Sequence, residues 1–467
     1  MSFATEKVDS IGRNEGMKRR RKRNETRARA VALALSTAVG MLAAAGAVAG
    51  RETAIALTGA RLIPVGGPEI ADGVLVARGG KIAAVGATGA VRIPRGAEVR
   101  DLRGKVVMPG LVDTHSHLGR GSGGDRSAPL QPEVRVLDAV DVRSTNFWKA
   151  RAGGLTTLNV MPSSGHLLSG QTVYLKLRDG GATVEDWLLC ADASRRICGG
   201  LKMANGTNSQ RQPPFPGTRA RSAALQRGLF LRAVEYREKL ARAGADAAQR
   251  PDRDLGLEAM VEALDGRRVI HFHTHRHDDI ATVLRLAAEF GVRPVLHHLS
   301  DGWKMAGEIA RAGLPASITL VDSPGGKQEA LDVSWSTGAA LERAGVDVAI
   351  HTDDAITDSR FLLRSAAMAV RGGMSRAKAL AAVTLAGARM LGLDGRIGSL
   401  AAGKDADFVV LSGDPLAHVT RVEETWVEGR KVFDLARDAR YLAGGRDAYD
   451  RDADAADHRI DTREIAE

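Results

Sequence analysis

The chain has 467 residues, a formal net charge of +10 and only 4% aromatic residues. Its first 50 residues hold ten Lys/Arg against four Asp/Glu, leaving 56 against 52 over the other 417, so the basic excess belongs mainly to the leader. A nearly balanced body with few rings for base stacking argues against a nucleic-acid partner, and two cysteines are too few for a disulfide scaffold.

Lys18 to Arg23 is an unbroken basic run, and Ala30 to Gly50 carries no charge, the pattern of an export signal. Ala47, Val48 and Ala49 make a small-residue boundary, so residues 1–49 are expected to be a cleaved signal peptide, with Met17 as an alternative start. The other reading is a membrane anchor over residues 30–50, since about 20 apolar residues span a bilayer. With cleavage, the mature protein is expected in the periplasm or outside the cell, with no stable membrane insertion. There Cys190 and Cys198 either pair across a short loop or remain separate thiols.

Beyond the leader, Ala54 to Leu57, Gly73 to Ala77, Lys81 to Val85 and Glu98 to Leu102 are strand-length runs between turn signals. The texture returns at Ala406 to Leu411 and Val422 to Val432, which predicts a composite β-sandwich domain from residues 50–107 and 391–440. Residues 108–390 alternate strand-like runs (Leu155 to Met161, Val269 to His273, Pro294 to His298) with helical stretches such as Ile280 to Phe290. Such alternation indicates parallel βα units. Polar clusters where apolar runs end favour a closed (β/α)8 TIM barrel over an open sheet. Residues 441–467 are expected to be a polar tail.

Ten of the twelve histidines lie between residues 115 and 351. His115 and His117 follow the apolar run Val106 to Val112, and positions two apart on a strand share a face. Three more strand ends carry His271, His273, His275 and His277; His297 and His298; and His351, Asp353 and Asp354. Any one of these has an ordinary structural reading; four in one βα array indicate a metal site with a position left for water. Zinc is the first expectation, as one or two ions, though Mn, Fe or Co suit the same ligands. A bound ion of this kind brings the pKa of water to roughly 7 and polarises a carbonyl. Asp353 is the candidate for taking the water's proton, and His298 or His275 for stabilising the oxyanion.

Two stretches carry a family resemblance. They are Val107-Met108-Pro109-Gly110-Leu111-Val112-Asp113-Thr114-His115-Ser116-His117 and Gly398-Ser399-Leu400-Ala401-Ala402-Gly403-Lys404-Asp405-Ala406-Asp407-Phe408-Val409-Val410. With Arg151-Ala152-Gly153-Gly154-Leu155-Thr156-Thr157, Gly170-Gln171 and Leu201-Lys202-Met203-Ala204, the chain resembles the amidohydrolase superfamily over residues 54–433. Within it, the similarity is to the imidazolonepropionase and Xaa-Pro dipeptidase-like hydrolases. The resemblance implies metal ligands at His115, His117, a histidine after the fifth barrel strand, His298 and Asp353. For the fifth strand His273 is taken, with His275 as the alternative. Members with two metals bridge them through a carbamylated lysine or a glutamate, for which Lys202 and Lys176 are the candidates here. A surface or substrate-contacting role is the other reading of Lys202. Where the related subgroup often carries the glutamate, this chain has Thr207, which speaks against a glutamate bridge.

Asp354 is expected to cap or orient, His351 to support Asp353 from the same face, and His297 to face away from His298 as a structural residue. Arg276 is expected to bind a substrate carboxylate with its guanidinium fork. The expected activity is hydrolysis of an amide-type C–N bond in a small molecule: a dipeptide, an N-acyl amino acid or a cyclic amide. The alternatives are a deaminase or ester hydrolase with the same chemistry, or a non-catalytic exported metal- or ligand-binding protein. Homo-oligomerisation stays open.

Overall fold

The computed structural model describes residues 53–119, 125–190, 197–320, 327–354 and 356–438. The expected signal peptide, residues 1–49, and the whole of the expected polar tail, residues 441–467, lie outside the described residues. Among the described residues, no helix is long and apolar enough to cross a membrane.

The strands in chain order are β1 (Ile55–Leu62), β2 (Ile70–Arg78), β3 (Lys81–Ala87), β4 (Glu98–Asp101), β5 (Val106–Pro109) and β6 (Leu111–Ser116). Then come β7 (Leu155–Val160), β8 (Leu168–Gln171), β9 (Val173–Lys176), β10 (Leu201–Ala204), β11 (Ile270–Thr274) and β12 (Val295–His298). The last are β13 (Ala316–Ile318), β14 (Val348–Ile350), β15 (Phe408–Leu411), β16 (Val422–Val427) and β17 (Arg430–Asp434). Strands from both ends of this span share one eight-stranded sheet, ordered β17-β16-β15-β5-β1-β2-β3 with β4 on β1. Leu57, Leu62, Leu75, Val107, Phe408 and Trp426 form an apolar cluster within it.

Two sequence expectations are corrected here. The run Val422 to Val432 is a hairpin rather than one strand, because Glu428 (φ 50°) and Gly429 (φ 71°) adopt the left-handed pair that a tight β-turn requires. The run Val106 to Val112 is likewise cut at Gly110: β5 pairs with β15, whereas β6 pairs with β7. A side chain at Gly110 would sit 2.2 Å from the Thr156 methyl, so only glycine fits where the chain passes from one sheet to the next.

The middle of the chain forms a six-stranded sheet, β14-β13-β12-β11-β10-β8, and a three-stranded sheet, β6-β7-β9. β10 to β14 pair in parallel, and every residue of these five strands is buried. Burial on both faces is what a parallel sheet requires. Ser116 bridges Asp354 in parallel register, so the ends of β6 and β14 adjoin.

Helices α1 (Asn146–Ala152), α2 (Arg219–Ala243), α3 (Leu255–Leu264) and α4 (His277–Phe290) intervene between these strands. α4 buries Ile280, Val283, Leu286 and Ala287 along one face, starts with Asp278 and Asp279 at the positive end of its dipole, and ends at left-handed Gly291. The alternation of strand and helix leaves the histidines at strand ends, while Leu296, Ile318 and Ile350 pack in the main apolar core.

Candidate metal centre

β6, β10, β11, β12 and β14 deliver the polar groups to one place. His115, fully buried, is the penultimate residue of β6, and His117 follows the strand; their ring centroids are 5.1 Å apart. Asp353 follows β14, with its backbone N–H donating to the His115 carbonyl (2.9 Å). Its Oδ1 lies 3.3 Å from His115 Nε2 and 3.0 Å from His117 Nε2, and its Oδ2 lies 3.7 Å from His298 Nδ1. Lys202 of β10, fully buried, puts Nζ 3.1 Å from His115 Nε2. His273, His275 and His298 form an adjoining group whose candidate ligand atoms lie within 4.8 Å of one another, as do those of His115, His298 and Asp353.

Backbone geometry marks the same residues. His298 (φ 72°), Leu299 (φ 54°) and Asp353 (φ 51°) are left-handed, a conformation that costs a side-chain-bearing residue roughly 1–3 kcal/mol. At His298 it interrupts the strand alternation. His297 therefore does not lie wholly apart from the site: its ring centroid is 6.2 Å from that of His298 and 5.1 Å from that of His115. It bonds His271 Nδ1 through Nε2 (3.0 Å), and His271 in turn reaches the Tyr174 hydroxyl (3.3 Å).

Burial, more than any neighbour, holds the imidazoles of His115, His273, His275, His297 and His298 well below the ordinary histidine value, which favours their neutral form. The Lys202 ammonium is brought down to about 7 by burial, opposed by Asp353 and reinforced by Lys327. At Asp353 burial works to raise the carboxyl, yet the hydrogen bond and charge of His117, with His351 and Lys202, hold it well below the usual carboxylate range.

The donor set fits a divalent cation. His117 Nδ1 faces the Met161 carbonyl at 2.8 Å and must donate to it, so Nε2 faces the Asp353 carboxylate at 3.0 Å with a proton or a metal ion between them. That contact needs a positive charge shared between the two, and an Nδ1–H anchored on a backbone carbonyl is how metal-binding histidines are oriented. Both ring nitrogens of His273, Nε2 of His298 and Nδ1 of His115 are buried without a hydrogen-bond partner, an expense natural structures seldom tolerate without purpose.

The two fifth-strand candidates differ. His275 Nδ1 meets Ser300 Oγ (2.7 Å), and its Nε2 accepts from the Lys327 ammonium (3.3 Å), which can only donate. Both of its nitrogens are engaged, whereas both of those of His273 are free to ligate. Of the two lysines, Lys176 is spent elsewhere: it pairs with Asp405, Asp407 (3.0 Å) and Glu428 (3.4 Å) beside the large sheet. Arg276 makes a bidentate pair with Asp278 (3.0 Å twice), which occupies the fork expected to hold a substrate carboxylate.

Supporting residues are fixed by long-range bonds. His351 meets Ser317 Oγ (2.8 Å), Thr319 Oγ1 (2.9 Å) and His298 Nδ1 (3.3 Å). Asp354 accepts from Lys149 (3.0 Å) and Ser359. Asp113 accepts from the backbone N–H groups of His115 (3.1 Å) and Thr352 (3.2 Å) and from the Thr352 hydroxyl, joining the ends of β6 and β14. The sequence reading assigned no role to Asp113, Ser300 or Lys327; Asp113 at least lay inside a quoted motif. Thr207, at the expected glutamate position, donates its backbone N–H to Glu329 (2.7 Å). Cys190 and Cys198 are joined in a disulfide.

Residues 106–432 match the amidohydrolase family, and the chain belongs to that family. It is 27% identical to an amidohydrolase, tasK, of Hapsidospora irregularis over 374 residues, 74% of this chain but only 38% of that protein. An imidazolonepropionase of Sphingopyxis alaskensis is 25% identical over 398 residues, covering 78% of this chain and 93% of that one. Among solved structures, an amidohydrolase from Thermotoga maritima superposes with a TM-score of 0.74 at 30% identity, covering 81% of this chain and all of the other.

Proposed function

We propose that the protein hydrolyses an amide-type C–N bond of a small molecule with a divalent metal ion, zinc first, held at the ends of the parallel strands. The carrying observation is the convergence of His115, His117, His298 and Asp353 with the unpartnered nitrogens of His273 and His298. In this reading the two inner sheets belong to one (β/α)8 barrel, an arrangement supported by the Ser116–Asp354 bridge, and the eight-stranded sheet is the core of the composite domain.

His115, His117, His273, His298 and Asp353 would hold one or two ions, and Lys202 faces them as the bridge candidate. When bound, such an ion supplies Lewis acidity that activates water and polarises the scissile carbonyl. Asp353, held ionised, takes the proton of the attacking water at its carboxylate and returns it to the leaving nitrogen. Asp113 keeps the β6 and β14 ends in register for that transfer, and His351 ties β14 to Ser317 and His298. His275 accepts from Lys327, so the hydrogen-bond donor on its side of the cleft is the lysine ammonium.

We also propose export, the leader being a cleaved signal. The Cys190–Cys198 disulfide supports it, since disulfides persist in oxidising compartments.

The test is elemental mass spectrometry on wild type and Asp353→Asn, with turnover of dipeptides, N-acyl amino acids and cyclic amides followed on the same samples. The expected result is one or two equivalents of transition metal, with turnover lower by roughly 10²–10⁴-fold in the variant. Absence of metal and of turnover after supplying Zn²⁺ or Mn²⁺ would overturn the hydrolase reading in favour of a binding protein.

A further inference from the structure

Lys327 lies beside the histidine cluster. Its ammonium has three N–H bonds: one serves His275 Nε2 at 3.3 Å, and Glu329 Oε1 lies 3.1 Å away as counter-ion. Glu329 is itself buried and fixed, accepting from the Thr207 backbone at 2.7 Å with Arg219 at 3.8 Å. The anchored carboxylate thus sets the direction of the lysine before any ligand arrives, a preorganised arrangement. The Lys327 side chain is 27% exposed, so its ammonium can be reached by a ligand, unlike that of fully buried Lys202. Arg276, next to His275 in the chain, has its guanidinium occupied by Asp278.

We propose that Lys327 is a specificity-determining residue that binds an anionic oxygen of the substrate, namely a carboxylate flanking the scissile C–N bond. The inference rests on the hydrolase reading for seating the substrate at the histidines, and it narrows the substrate class to amides of amino or other carboxylic acids. A negatively charged group there meets a partly buried ammonium, and such charge-assisted bonds are the stronger kind. The same ammonium could instead serve the oxyanion formed at the carbonyl; the two sources differ in whether the carboxylate must be present before reaction.

The experiment uses metal-loaded full-length protein, as wild type, Lys327→Met and Lys327→Arg, with a set of N-acetyl amino acids and their C-terminal carboxamides as probes. Calorimetric binding should favour the best acid over its carboxamide by about tenfold or more in wild type. Lys327→Met should erase that preference and Lys327→Arg restore most of it, with metal content and melting temperature reporting the fold. Where the pairs turn over, the acid-to-carboxamide KM ratio should rise by the same factor in Lys327→Met. No acid preference in wild type, through equal binding or no binding of either form, overturns the proposal. So does an equal loss of kcat on acids and carboxamides in Lys327→Met, which assigns the lysine to the oxyanion. An acid preference without any turnover sinks the hydrolase reading and leaves the carboxylate site standing.

Discussion

Two fully buried lysines stand on sequential strands of the middle region, Lys176 on β9 and Lys202 on β10, and they are used in opposite ways. Lys176 is surrounded by Asp405, Asp407 and Glu428, and Asp405 is held further by Lys81 and by Arg396 (3.0 Å). Its charge is cancelled on the spot, and the cluster ties the β7–β9 sheet to the chain segment leading into β15. Lys202 instead faces a neutral imidazole, and burial brings it down to about 7. Burying an uncompensated ammonium is expensive, so where a fold keeps one the deficit points to something bound or exchanged there. Lys176 is buried among carboxylates beside the large sheet, whereas Lys202, with Asp353 the charge opposing its burial, adjoins the candidate site.

That contrast can be broken by mutation. Lys176→Met leaves Asp405 and Asp407 short of their central partner and is expected to destabilise the fold by about 3–5 kcal/mol, read by chemical denaturation, with metal content per chain kept. Lys202→Met removes a lone buried charge and is expected to leave stability equal or higher in the chelated protein, while bound metal falls. If Lys176→Met emptied the metal site without weakening the fold, the division between the two lysines would be wrong.

A finer cut lies within the histidines. His273 has two unpartnered nitrogens and His275 none, so His273→Ala should weaken metal binding by roughly tenfold or more, whereas His275→Ala should retain the ion. Competition with a calibrated chelator measures both. The reverse order would make His275 the fifth-strand ligand and place Lys327 closer to the ion than a cation should sit.

The parts of this arrangement that were readable beforehand are those set by local pattern. An apolar run ending in His115, His297 or His351 is a strand with a polar tip, and the β6 and β14 ends show it. Lys176 and Lys202 could not be told apart, because what separates them is Asp405 and Asp407, more than 200 residues away in the chain. Arg276 sat in the right motif, but Asp278, two residues on, closes its fork. Lys327 lies six residues beyond the apolar run Ile318 to Val321, after Asp322-Ser323-Pro324-Gly325-Gly326, so nothing in the local pattern pointed to His275, which meets it only through the fold. The turn at Glu428 and Gly429 was hidden because its flanks read as one strand.

The last effect expected is a pH dependence that belongs to the paired cluster alone. Burial works to raise the Asp405 carboxyl, but the charge and hydrogen bond of Lys176, with Lys81 and Arg396, bring it down to about 2 from 3.8. A depressed carboxyl contributes stability that is whole above its unfolded value, near 3.8, and is lost as pH falls from there through about 2. The share at stake is roughly 2 kcal/mol. Unfolding free energies of chelated wild type and Asp405→Asn, compared between pH 6 and pH 2, isolate it, because carboxyls common to both proteins cancel in the difference. Wild type should lead at pH 6 and lose about 2 kcal/mol of that lead by pH 2. A gap that stayed constant down to pH 2 would mean that the Lys176 cluster does not hold Asp405 ionised in the folded state, and the contrast with Lys202 would lose its paired half.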